Sequence, residues 1–313
     1  MTKTAHVHMA GKRIASAAVM LLMLTSAASA QKAFKTTAAA VETLAGAVKA
    51  GDRKAILAVL GRDASDIISS GDPVADTAML QRFTAAYDAK HQINMDGDNK
   101  ATVIVGQEDY PFPIPLVRKH GEWRFDTAAG RREILYRRIG RNELDAIQSC
   151  LAYVDAQNEY ADKDRTGSGK GVYAQRIVSS PGKKDGLYWP DPQGNDPSPL
   201  GELFAEATKQ GYRVGEGRIP YHGYYYRILT KQGAAAPDGA LNYVVNGKMI
   251  GGFALVAYPA EYRNSGVMTF IVSYDGQVYQ KDLGQHTARI AERMTSYNPD
   301  KSWTKTVMPT ASQ

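Results

Sequence analysis

Two dipeptides set between β-prone runs constrain this chain more than any other feature. Asn246-Gly247 separates LNYVV from KMIGGFALVAY, and Asp275-Gly276 separates VMTFIVSY from QVYQ. Both dipeptides tolerate positive φ at two successive positions, which the twist-matched two-residue hairpin turn demands. The C-terminal part is therefore expected to hold an antiparallel sheet. The stretch Ala128–Asp162 reads as a helix with a break near Gly140. Its second part places Leu144, Ile147, Leu151, Val154 and Ala161 on one side, with Asn142, Glu143, Asp145 and Gln148 largely opposite. An apolar stripe of that width suits a helix lying along a sheet. Cys150 is the only cysteine, so no intrachain disulfide forms and packing must hold the fold. Within the helical pattern it reads as a small buried hydrophobe.

Upstream, Val41, Leu44, Ala45 and Val48 recur at helical spacing, and Gly51-Asp52 restarts the chain into Ile56, Leu57 and Leu60. Gly71-Asp72-Pro73 breaks the pattern before a helix around Met79–His91. After a polar turn over 95–100, Ala101–Gly106 reads as a strand, and Pro115–Lys119 with Glu122–Asp126 as a hairpin around His120-Gly121. The "AGD" turn and the closing "GEWRFD" strand resemble those of nuclear-transport-factor-like cone folds. Farther on, Ser198 and Pro199 suit the start of a helix that Gly211 stops, and a last helix is expected over Thr287–Tyr297. The fold class is α+β. A small N-terminal domain of helices and antiparallel sheet is expected over 31–127, and a long helix packed on an antiparallel sheet over 128–313.

The first 30 residues read as a secretory signal. Lys12-Arg13 precedes the uncharged run IASAAVMLLML, and Ala28-Ser29-Ala30 offers small residues for cleavage. The apolar run falls short of the roughly 20 residues that a permanent span requires. The expected location is thus periplasmic or secreted, with a start near Gln31 and no transmembrane anchor after cleavage. Losing Lys3, Lys12 and Arg13 takes the formal charge from +6 to +3. A weakly basic chain without clustered cations is not built for nucleic acid. The densest run, Arg131, Arg132, Arg137, Arg138 and Arg141, alternates with Glu133 and Glu143 and reads as a solvated helix face, with a surface for an anionic partner as the second reading. At 43% hydrophobic and 22% charged residues, the composition excludes a disordered or polytopic membrane protein.

The segment AIQSCLAYVDAQNEYA followed by GVYAQRI, with the later ALVAYPAEY and SGVMTFIVSYDGQVY, resembles the globular part of type IV pilins and type II secretion pseudopilins. That resemblance implies a pilin-like helix-on-sheet domain and a role in envelope assembly. More specifically, PLVRKHGEWRFDTAAG, RRIGRNELDAI, DGLYWP, YHGYYYRILTKQG and GGFALVAYPAEYRNSGVMTFIV are similar to an uncharacterised bacterial family, domain of unknown function 2950, over nearly all of the mature chain. That family lends boundaries and export, and no catalytic residue.

Catalytic and metal motifs are weak. His91, His120, His222 and His286 make no i, i+4 pair, and no GxSxG elbow or phosphate loop occurs in the right context. Asp162, Asp164 and Thr166 open like a calcium loop, but Tyr173 stands where the bidentate Glu belongs and Lys170 puts a cation inside. No cofactor is expected, calcium being the one weak candidate. Of eighteen tyrosines, sixteen follow residue 130, which points aromatic recognition at the C-terminal part. Read as a strand, Tyr221–Leu229 puts His222, Tyr224, Tyr226 and Ile228 on one face and Tyr221, Tyr225 and Arg227 on the other. The first set is expected in the core, and Tyr221, Tyr225 and Arg227 as an exposed aromatic–cationic patch for an envelope protein or polysaccharide, with packing alone as the other reading of these tyrosines. The functional expectation is a non-enzymatic exported binding or assembly protein. The alternative is a periplasmic hydrolase of cell-wall or polysaccharide substrates, for which Asp185, Asp191 and Glu202 are candidate acids without paired spacing.

Overall fold

The computed structural model describes residues 31–213 and 219–307, so the expected signal segment lies outside the described residues. Four helices come first: α1 (Thr37–Lys49), α2 (Arg53–Leu60), α3 (Ser65–Ile68) and α4 (Pro73–Ala89). Side-chain caps start three of them, from Thr36, Asp52 and Asp72. Helix α4 begins at Pro73, six residues before the expected Met79, because Asp72 caps it and Pro73 takes the first turn, where no backbone donor is needed.

An antiparallel sheet of β1 (His91–Asp96), β2 (Lys100–Val105), β3 (Tyr110–Pro111), β4 (Leu116–Lys119) and β5 (Glu122–Phe125) follows. Strand β1 corrects the expected helix end and polar turn. Its six residues carry no buried side chain, and only full pairing with β2, from His91↔Val105 to Asp96↔Lys100, makes them a strand. The hairpin at His120-Gly121 turns with φ of 53° and 81°, as a two-residue primed turn requires.

Helix α5 runs unbroken over Thr127–Ala161 for 35 residues, roughly 50 Å at 1.5 Å per residue. Gly140 does not break it, because that position is exposed and nothing crowds it. The buried face keeps Ile147, Val154 and Ala161 of the expected stripe but is wider and shifted: Leu144 is 43% exposed, whereas Asn142 is 6%. Arg138, Asn142, Ala146, Cys150, Tyr153, Gln157 and Tyr160 face inward as well. The polar members are satisfied. Asn142 Nδ2 donates to the Ser265 carbonyl at 2.9 Å, and Gln157 both accepts from Ala174 N and donates to Ala174 O at 2.8 Å. Hydrogen-bonded burial of this kind avoids the desolvation cost that pattern reading assumes.

The later elements are α6 (Gly201–Lys209), β6 (Tyr224–Leu229), β7 (Lys231–Gln232), β8 (Leu241–Asn242), β9 (Val244–Val245), β10 (Lys248–Met249), β11 (Ala254–Pro259), β12 (Met268–Ser273), β13 (Tyr279–Asp282), α7 (Thr287–Arg293), β14 (Ser296–Tyr297) and β15 (Thr304–Lys305). Strands order as β15-β13-β12-β11-β6 in one antiparallel sheet. Helix α5 packs on β11 and β12, and α7 packs on β11, so the sheet has cover on both sides. Asn246-Gly247 makes the expected turn, with φ of 50° and 75°, but joins only the short pair β9–β10. Gly251 then passes so close to Asn242 that a Cβ would stand 2.7 Å from its carbonyl. Asp275-Gly276 is not a two-residue turn. Strands β12 and β13 are joined over 274–278, where Asp275 Oδ1 accepts from Gln277 N and only Gly276 has positive φ. Helix α6 starts at Gly201 without a side-chain cap, so Ser198 contributes its carbonyl rather than its hydroxyl. Helix α7 ends at Arg293, and Ser296–Tyr297 instead pairs in parallel with β7.

Two apolar cores result, one around α1, α2 and the first sheet, the other around α5 and the second sheet. Among the described residues, no helix is long and apolar enough to cross a membrane. Cys150 is fully buried in the second core, and burial pushes its thiol up to about 12. Since the thiolate is the reactive form, the folded protein should resist alkylation at a pH of about 8 and label only in denaturant, a contrast that mass spectrometry reads directly.

Candidate functional site

A pocket of about 330 Å³ opens between α5, α6 and β6. Gly211, at φ 99°, ends α6 and turns Tyr212 back against it. Helix α6 supplies Leu203, Phe204 and Ala207, and α5 supplies Ser149 and Tyr153. Tyr212, Tyr221 and residues 224–226 close the remaining side. Phe204 is held flat by Tyr188, with ring centroids 4.1 Å apart. Tyr212 and Tyr221 meet edge to face at 5.1 Å. Among the described residues, no Asp, Glu, Asn, Gln or His contributes to the wall. The polar groups are tyrosine hydroxyls, Ser149 and Arg213, and the size lies within the range of small-molecule sites, about 300–1,000 Å³.

Tyr221 does not continue the strand. His222 and Gly223 form a two-residue turn with φ of 50° and 73°, and Tyr221 pairs back onto Tyr224. Asp72, 151 residues upstream, fixes that turn. It is fully buried; its Oδ2 accepts from Tyr212 Oη at 2.8 Å and Gly223 N at 2.9 Å, while its Oδ1 caps α4. A Cβ on Gly223 would lie 2.5 Å from Asn142 Nδ2, so both dihedral and space require glycine there. His222 Nδ1 stands 3.1 Å from Asp145 Oδ2, and neither residue contributes to the pocket wall. Burial, then the charges of Asp145 and Glu206, push the Tyr221 hydroxyl upward, keeping it a neutral donor.

The expected patch is therefore divided. Tyr221 and Tyr225 both line the pocket, together with Tyr226, which was expected in the core. Arg227 is elsewhere: its guanidinium donates to the carbonyls of Ala291 and Met294. A cation at the C-terminus of α7 suits the helix dipole, and this explains why Arg227 does not stand free on the surface. Tyr224 is fully buried, as expected, with its hydroxyl on the Met268 carbonyl. The sequence argument assumed one covered face on β6, whereas both have partners. Tyr226 bonds Ser149 of α5, and Tyr225 lies 5.8 Å from the buried Tyr258.

The other candidates stay apart. Asp164 Oδ1 accepts from Thr166 N and Ser168 N inside its own loop, and Asp162 closes α5. Among the described residues, no three His, Cys, Asp or Glu are grouped to hold a metal ion. Asp185 accepts from Ser180, Asp191 accepts from Asp196 N, and Glu202 lies in the first turn of α6, so no pair converges. Sequence reasoning missed Asp72 and Tyr212, whose partners lie 140 and more residues away and leave no local signal.

No curated protein and no solved structure matches this chain. Residues 31–306 match the family described as "Protein of unknown function (DUF2950)", and the chain belongs to that family.

Proposed function

We propose that this is an exported, non-catalytic binding protein of the cell envelope, and that the tyrosine pocket holds an apolar anchor of a protein partner. The observation that carries this reading is the wall itself: its described residues are mostly aromatic and aliphatic, and none of them is a carboxylate, amide or imidazole. Sugar rings need several hydrogen-bonding groups for their hydroxyls, whereas a buried aromatic or aliphatic anchor needs area and exclusion of water. A protein partner therefore fits better than a polysaccharide. Hydrolysis of a glycoside needs two carboxylates about 5–10 Å apart, and the described wall residues offer none. Export rests on the N-terminal signal pattern, and an envelope-assembly role on the resemblance to pilin heads, with which an antiparallel sheet lying on a long helix is compatible.

Filling the pocket tests the proposal. Ala207→Trp, at a buried position, should stay folded with a loss of about 1–3 kcal/mol but lose a partner that the parent retains from envelope extracts, and Tyr221→Ala should weaken the same interaction. Retention of an unchanged set of proteins by both variants would remove the pocket from any binding role. Pocket-dependent retention of cell-wall glycan instead would replace the protein partner by a polysaccharide.

A further inference from the structure

A second cavity, of about 610 Å³, lies within the first core. Its floor is aliphatic, from Leu44, Ile56 and Leu60 of α1 and α2 to Val105 and Ile114. Helix α4 forms one wall in an unusual way. Only Tyr87 of its 17 residues is buried, while Met79, Leu80, Phe83 and Ala86 stand half-buried along the cavity. An apolar helix side left half-covered beside a space this large is under-filled by the chain itself.

The mouth is cationic. Arg82 of α4 and Arg137, Arg138 and Arg141 of α5 all reach the cavity, against one acid, Glu108. Two of the four are already engaged. Arg137 pairs with Glu133 at 2.6 Å, and Arg138 donates to the carbonyls of Asp66 and Ile67 and to Asn264. Arg138, read from sequence as part of a solvated face, is thus buried as a tie between α3 and α5. Arg82 and Arg141 differ: among the described residues, neither has a carboxylate within 4.0 Å. They are close enough that burial and then the Arg141 charge lower the pKa of Arg82. Two exposed like charges, converging without a counter-ion on an apolar hole, are costly unless an anion sits between them.

We propose that this cavity binds a single-chain anionic amphiphile, its hydrocarbon tail among Leu80, Phe83 and Ile134 and its carboxylate or phosphate head between Arg82 and Arg141. Guanidinium groups suit either head, since both accept paired N–H donors. The site shares no wall residue with the tyrosine pocket, so the two proposals stand separately.

Calorimetric titration of the whole protein with laurate, dodecyl phosphate, dodecyltrimethylammonium and acetate, below micellar concentrations, tests it. Laurate or dodecyl phosphate should bind one to one, the tighter of the two naming the head group. Dodecyltrimethylammonium, with the same tail, should bind at least about tenfold more weakly, and acetate not measurably. The double variant Arg82→Ala/Arg141→Ala, both exposed positions, should fold as the parent does and lose about tenfold in laurate affinity. Ala86→Trp, which fills the cavity, should abolish binding of the tail. Equal affinity for the anionic and cationic amphiphiles, or undiminished laurate binding by the double variant, would overturn the proposal.

Discussion

Replacing Asp72 by alanine should cost about 3–5 kcal/mol, the sum of a lost helix cap and two buried donors left without an acceptor. The carboxylate accepts from Val74 N, Ala75 N, Tyr212 Oη and Gly223 N, with distances of 2.8–3.2 Å. For a chain of this size the melting temperature should fall by roughly 10 °C. Tyr212→Phe removes one donor and keeps the acceptor, so it should cost only about 1–2 kcal/mol. A fall of less than about 2 °C for Asp72→Ala would mean that the turn at His222-Gly223 holds itself, and that the long-range tie is incidental.

The second large effect is alkaline. Tyr153, Tyr212, Tyr224, Tyr243 and Tyr297 are all buried, and burial is the leading cause that raises each hydroxyl above its ordinary value of 10.0. A raised folded value means that the native state keeps protons that the unfolded chain releases. The stabilisation is complete below the unfolded value and is lost as pH climbs through it toward the folded one. Each such group removes about 1.4 kcal/mol per pH unit in that window. Cys150, from an ordinary 9.0 to about 12, starts the decline slightly earlier. The urea midpoint should therefore hold steady to a pH of about 9 and collapse between about 10 and 11, because any three of these six groups, together about 4 kcal/mol per pH unit, already match a large part of a 5–15 kcal/mol stability. Tyrosinate absorbance from this buried set should appear only with unfolding. Titration of every tyrosine near pH 10 in a chain that stays folded would contradict the burial described.

What was legible beforehand was what a few neighbouring residues decide. The turns at His120-Gly121 and Asn246-Gly247 could be read because only such dipeptides adopt successive positive φ cheaply. The ends of α5 and three residues of its buried stripe, Ile147, Val154 and Ala161, could be read from helical spacing, but its continuity through Gly140 and the polar part of its buried face could not, since Asn142 is buried by a carbonyl 123 residues away. Strand β1 carries no apolar alternation and exists through its neighbour. Two tyrosines of the expected patch reached the pocket, whereas Arg227 did not, because its acceptors lie 64 and 67 residues downstream. The four arginines at the second cavity were visible as a charge run only for the three on α5. Arg82 joins them through tertiary packing alone.

The Asp72–Gly223 hydrogen bond spans 151 residues, and that span is also an interval of time. At an elongation rate of about 5–20 residues per second, roughly 8–30 s separate the appearance of the carboxylate from that of its partner. Throughout that interval Asp72 caps α4 but must stay hydrated, since full burial would leave half of its acceptor capacity empty. The Gly223 bond can form once the His222-Gly223 turn is made, and the Asn264–Ser69 hydrogen bond, which spans 195 residues, only later still. Until Tyr212 and Gly223 have been made, a growing chain presents this carboxylate with only two of its four donors in place.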